Sequence, residues 1–114
     1  MIMEYTITKT GEMNGVIHYN ISFEGGEATG IEIPMPKCDK YLIEVSCKGG
    51  FLMCGYLNMG AADKIGNPAA LISGARINNT LENPAAAVSA PAAAMGAAAG
   101  MTGIELLKLF MKNA

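Results

Sequence analysis

The chain has 114 residues and 11.9 kDa, and its ten acidic and eight basic side chains leave a net charge of −2, with no broad cationic face for a polyanion such as nucleic acid. Hydrophobic residues make up 51% and charged residues 16%, below the usual quarter or so, which excludes a disordered chain and predicts that copies shield one another. At this length a monomer buries roughly 65% of its unfolded surface, enough for one core, so residues 1–114 are read as one domain.

Tyr5 to Lys9 alternate in polarity, and Val16 to Phe23 alternate again, with Ile17, Tyr19, Ile21 and Phe23 on one side and Val16, His18, Asn20 and Ser22 on the other. Both are predicted strands. Glu24-Gly25-Gly26-Glu27 supplies a turn, and Ile31 and Ile33 resume the alternation before Pro34 and Pro36 stop it. Tyr41 to Lys48 and Phe51 to Leu57 then flank Gly49-Gly50, a two-residue hairpin signal. If those glycines alone form the loop, Val45 faces Cys54. Ile43, Val45, Cys47, Leu52, Cys54 and Tyr56 then share the core face.

After Met59 the pattern changes. Gly60 to Lys64 suits a short helix, Gly66-Asn67-Pro68 breaks it, and Ala69 to Ile72 has the length of a strand whose direction the sequence leaves open. Ser89 is placed to cap a helix with Pro91 in its first turn, ended by Gly96 or Gly100. Thr102-Gly103-Ile104-Glu105 has capping-box spacing, and Ile104, Leu106, Leu107, Phe110 and Met111 form an apolar stripe behind it. A β-rich first half and a helical second half predict an α+β fold in which antiparallel hairpins pack against C-terminal helices.

From Asn83 to Ile104 run 22 residues without a charge, but the run is mostly alanine interrupted by proline and glycine, so no membrane partner is expected. The N-terminal residues show no basic stretch followed by an apolar run, and three cysteines without close spacing suit reduced thiols. The expected location is the cytoplasm.

Gly50-Phe51-Leu52-Met53-Cys54-Gly55-Tyr56-Leu57-Asn58 and Gly100-Met101-Thr102-Gly103-Ile104-Glu105-Leu106-Leu107 resemble the two motifs of the YunC-like family, a domain of unknown function from bacteria and archaea. Between them Ala69-Ala70-Leu71-Ile72-Ser73-Gly74-Ala75-Arg76 is similar to a third element of that family, and Val88-Ser89 with Gly96 keeps its helix spacing. The resemblance spans Gly50 to Leu107 and implies a small α/β-type domain with no established activity, whose N-terminal strands form a tetramerisation region. On that basis residues 1–36 are assigned to self-association, as a homotetramer, and residues 41–112 to the motif-bearing core. Three positions depart: Leu106 replaces the family's Ala, Ile77 a Thr, and Asn58 an Asp, which removes the carboxylate on which a catalytic role would rest.

Cys54 is the candidate nucleophile, lying in the first motif near a strand end, although its side of the hairpin equally suits a small buried hydrophobe. In the predicted register Cys47 and Cys54 lie diagonally at roughly 7 to 8 Å, outside disulfide reach. The three cysteines lack zinc-site spacing and the only histidine, His18, falls on a polar strand face, so no metal is expected. No nucleotide fingerprint is present, and no cofactor is expected. Arg76 follows a predicted strand end and is read either as a surface ion pair or, with Asn58 and Asn78, as a candidate site for an anionic small molecule. The leading expectation is a self-associating binding or scaffolding protein. The alternative is a small-molecule enzyme with its site near Cys54, Asn58 and Arg76.

Overall fold

Period-two alternation and glycine-bearing turns fold the first half of the chain into consecutive antiparallel strands. The computed structural model describes residues 4–114, so Met1, Ile2 and Met3 of the assigned self-association region lie outside the described residues. Strands β1 (Tyr5–Met13), β2 (Val16–Phe23), β3 (Gly26–Pro34), β4 (Tyr41–Cys47) and β5 (Gly50–Met53) form a meander. With β6 (Ala69–Leu71) and β7 (Ala87–Val88) they make one seven-stranded sheet in sequence order. The Ala69 segment, whose direction was open, pairs parallel with β5, while the other neighbouring strands are antiparallel.

β1 runs past Lys9, where the sequence pattern had stopped, to Met13, because the register shifts between Lys9 and Gly11 and the alternation skips with it. The turn that follows is Asn14-Gly15, both residues at positive φ (54° and 82°), the backbone that a twisted two-residue hairpin requires.

The β4–β5 hairpin corrects the expected register. Cys47 pairs with Gly50 and Val45 with Leu52, so the loop is Lys48-Gly49, and Val45 does not face Cys54. A slide of two residues leaves side-chain direction unchanged: Ile43, Val45 and Leu52 are fully buried and Cys54 nearly so, whereas Tyr56, past the strand end, is exposed. Gly49 thus stays in the turn while Gly50 begins β5, and both are demanded by packing. A Cβ at Gly49 would lie 1.9 Å from the Phe110 carbonyl oxygen, and one at Gly50 would lie 2.8 Å from the Phe110 ring and from the Pro68 carbonyl oxygen. Cys54 follows the Glu44–Met53 pair, so it stands four rungs from Cys47, roughly 13 Å along the strand rather than on a diagonal. All three cysteines are free thiols.

Among the described residues four helices cover the sheet unequally: α1 (Met59–Ile65), α2 (Ile77–Glu82), α3 (Ala90–Ala94) and α4 (Gly103–Lys112). On the front, Leu106, Leu107 and Phe110 of α4, Ile77 and Leu81 of α2 and Ala92 of α3 join Ile21, Ala28, Ile43, Val45, Leu52, Ala70 and Ile72 in the main core. On the back, Ala62 of α1 covers Met53 and Ala69. The expected caps are in place. Asn58 accepts from Ala61, Ser89 from Ala92, and Thr102 and Glu105 form a capping box whose bonds hold the Glu105 carboxyl below its usual range.

Hairpins first and helices after make the fold α+β. The uncharged Asn83–Ile104 run divides into β7, α3 and the start of α4, and among the described residues no helix is long and apolar enough to cross a membrane.

Candidate functional site

Parallel pairing brings the carboxyl ends of β5 and β6 to the same end of the sheet, the place where open sheets form ligand crevices. From β5 the chain continues into Cys54-Gly55-Tyr56, and beyond β6 into Ser73-Gly74-Ala75. With Lys40 and Tyr41 at the start of antiparallel β4, these segments line a cleft of about 360 Å³. Lys40 is the one charged side chain among the lining residues, and Tyr41 and Tyr56 supply aromatic surface.

Beside the cleft lies a buried ionic cluster. Glu32, two residues before the end of β3, is fully buried, with Arg76 Nε donating to its Oε2 at 3.0 Å and an Arg76 terminal nitrogen to Oε1 at 2.8 Å. The Tyr19 hydroxyl donates to Oε1 at 2.7 Å and the Ile77 backbone N–H to Oε2 at 2.7 Å. The Arg76 guanidinium also stacks 4.4 Å over the ring of Tyr41, a wall of the cleft. Burial alone would raise the Glu32 carboxyl, but the Arg76 fork, the Tyr19 hydroxyl and the Ile77 amide outweigh it, so its pKa lies below the usual carboxylate range. Tyr19 is shifted upward by burial and by its bond to Glu32, and Arg76 upward chiefly by its bonds to Glu32.

Linkage gives the pH dependence. A carboxyl with a depressed folded pKa contributes stability that is full above its unfolded value, near 4.3 for glutamate, and lost as pH falls through the folded value. Urea melts of the parent should weaken progressively below about pH 4.5, and Glu32→Gln should flatten that acid limb. Parallel acid limbs in the two proteins would assign the titration to other carboxylates.

Cys54 lines the cleft, only 6% exposed, with its Sγ accepting from the Ile43 backbone N–H at 3.3 Å. Arg76 is adjacent through Tyr41, but its fork is committed to Glu32, so the surface ion pair becomes a pair with one partner fully buried. Asn58 is separated from both: it caps α1 and lines a different groove on the back of the sheet. Asn78 is exposed on α2, a helix that the residue pattern does not predict. In that helix Thr80 is buried, and the Asn79 side chain accepts from the Arg76 N–H. Cys54, Asn58 and Arg76 therefore do not form one site. His18 is exposed on the back of the sheet, and no group of three or more metal-ligating side chains occurs among the described residues.

Glu32, Tyr19 and Tyr41 were not singled out from sequence. Their signal was faint: Ile31 and Ile33 mark the back of β3, so Glu32 between them must share the front with Ala28 and Gly30.

No curated protein matches the chain. The fold is similar to that of TA1206, a protein of unknown function from Thermoplasma acidophilum known from its crystal structure, at 19% identity and a TM-score of 0.62 over 94% of this chain and 93% of that one. Likeness at that identity establishes the architecture alone. The family profile of DUF1805, a domain of unknown function, matches residues 53–110, about half the chain, and takes in both strand exits that line the cleft together with α2, α3 and most of α4. By that match, the chain belongs to the DUF1805 family of domains of unknown function.

Proposed function

We propose that this is a homo-oligomeric cytoplasmic protein that binds a small molecule in the cleft at the carboxyl ends of β5 and β6. One observation carries the reading: the Cys54-Gly55-Tyr56 and Ser73-Gly74-Ala75 segments, far apart in sequence and both within the family match, converge on a single cavity. The ligand has a flat or apolar body for Tyr41 and Tyr56 and an anionic group for Lys40. Arg76 does not receive that group, because Glu32 already fills its fork. Self-association is assigned to residues 1–36, as a tetramer. The apolar surplus supports it, as does β1, which ends the sheet with nine residues and no described strand on its outer side.

A thermal-shift screen of small metabolites tests the binding role. A ligand at about one hundred times its Kd should raise the Tm of the parent by roughly 10 °C, and Tyr56→Ala and Lys40→Ala should each diminish that shift. A shift left intact in both variants, or no shift from any compound, overturns it. Light scattering that returns a monomer at micromolar concentration removes the assembly.

A second reading, an enzyme with Cys54 as nucleophile, is favoured by the placement of its sulfur in the cleft wall beneath a backbone N–H. Native-state alkylation separates the two: labelling of Cys54 faster than a free thiol at neutral pH supports chemistry, and slower labelling supports packing.

A further inference from the structure

On the opposite face of the sheet from Glu32, α1 stands away from β4 and β5 and leaves a second groove of about 260 Å³. Its walls are apolar: Phe51 and Met53 from β5, Leu57 ahead of α1, and Ile65 at the end of α1, which is 74% exposed. Glu44 is the one charged residue among those lining it. Its neighbours across the strands are Ile31 on one side and Met53 on the other, and its half-buried carboxylate makes no hydrogen bond or ion pair with any described residue.

A carboxylate with apolar neighbours and no partner within the chain is free to attract a counter-charge. The other polar side chains of the groove, Asn58 and Asn67, belong to exposed residues and carry no charge. Asn58 Oδ1 is engaged with the Ala61 N–H, and the Asn67 carbonyl with Ser89. Phe51 offers an aromatic ring, a surface on which a cation with an aliphatic stem rests well, while Met53 is fully buried beneath it in the packing with Ala62. The size of the groove suits a small molecule and not the footprint of a protein partner, which takes about 800 Å² on each side.

We infer that this groove is a binding site for a small organic cation: an ammonium group placed on the Glu44 carboxylate, with a hydrocarbon body lying along Phe51, Leu57 and Ile65. It is separate from the cleft at the strand ends, and its assignment does not depend on what that cleft binds.

Calorimetry with n-alkylammonium chlorides on the full chain tests it, using n-hexanol as the uncharged counterpart. Hexylammonium should bind at least roughly tenfold more tightly than hexanol, and affinity should rise by up to about fourfold for each added methylene until the groove is filled. Glu44→Gln should remove the preference for the ammonium while keeping the parent's melting profile. Ile65→Ser, at an exposed position that does not endanger folding, should weaken the chain-length dependence. Tyr56→Ala, in the other cavity, should leave both unchanged.

Equal affinities for hexylammonium and hexanol overturn the inference, and so does an ammonium preference that survives in Glu44→Gln. Loss of hexylammonium binding in Tyr56→Ala would place the cation in the strand-end cleft and overturn it as well. Sedimentation of parent and Glu44→Gln at the same concentrations supplies the last arm: a subunit association that depends on Glu44, with no amine binding, would make the groove a contact between copies and overturn the small-molecule assignment.

Discussion

Arg76→Ala is expected to lower the unfolding free energy by about 3 kcal/mol, near the lower end of the cost of removing one partner from a buried ion pair. Glu32 stays fully buried in that variant, with its negative charge held by the Tyr19 hydroxyl and the Ile77 amide alone. The cost sits at the low end because 44% of the Arg76 side chain is exposed, so water can enter where the guanidinium was. A second change isolates the cause. With Glu32→Gln in the same chain there is no buried charge left to strand, so the two substitutions should cost clearly less together than the sum of each alone, with a coupling of about 1 to 3 kcal/mol in urea melts at pH 7. Costs that add to within about 0.5 kcal/mol would show that the pair acts only by filling space.

Gly49→Ala is expected to be at least as damaging, costing about 3 kcal/mol or more, because the obstruction is main chain rather than a movable side chain. Its Cβ would lie 1.9 Å from the Phe110 carbonyl oxygen and 2.6 Å from the Phe110 carbonyl carbon. The end of α4 must therefore lift from the β4–β5 hairpin, drawing Phe110, a fully buried ring, out of its packing. Gly55→Ala is the matched control: a Cβ there has nothing within 4 Å. The control should keep the parent's stability to within about 0.5 kcal/mol. Equal Tm losses in the two variants would show that glycine matters at these positions through chain flexibility and not through helix approach.

What the sequence disclosed followed from local periodicity. Alternation from Val16 to Phe23, the Ser89 and Thr102 caps and the apolar stripe of α4 each depend on residues within a few positions of one another. The register of β4 and β5 did not, because Gly49 and Gly50 look like turn residues until the backbone of α4 is laid over them. For the same reason α2 was not foreseen. Asparagine and threonine are mediocre helix formers, and the helix begins where Glu32, 45 positions earlier, accepts the Ile77 N–H. Of the candidate site, Cys54 and the Arg76 loop were visible as unusual residues at strand ends. That Asn58 belongs to another cavity was not, since the face to which α1 folds depends on the parallel placement of β6.

The Glu32–Arg76 pair also bears on where this protein can be cut. The family match opens at residue 53, yet Arg76 and the first amide of α2 find their counter-charge on β3, well upstream of that point. A fragment comprising only the matched residues keeps the guanidinium and discards the carboxylate, together with the Ile21, Ala28, Ile43 and Val45 side chains that meet α2 and α4. The border of evolutionary likeness is therefore not a seam of autonomous folding, and the N-terminal meander is structural foundation as much as appendage.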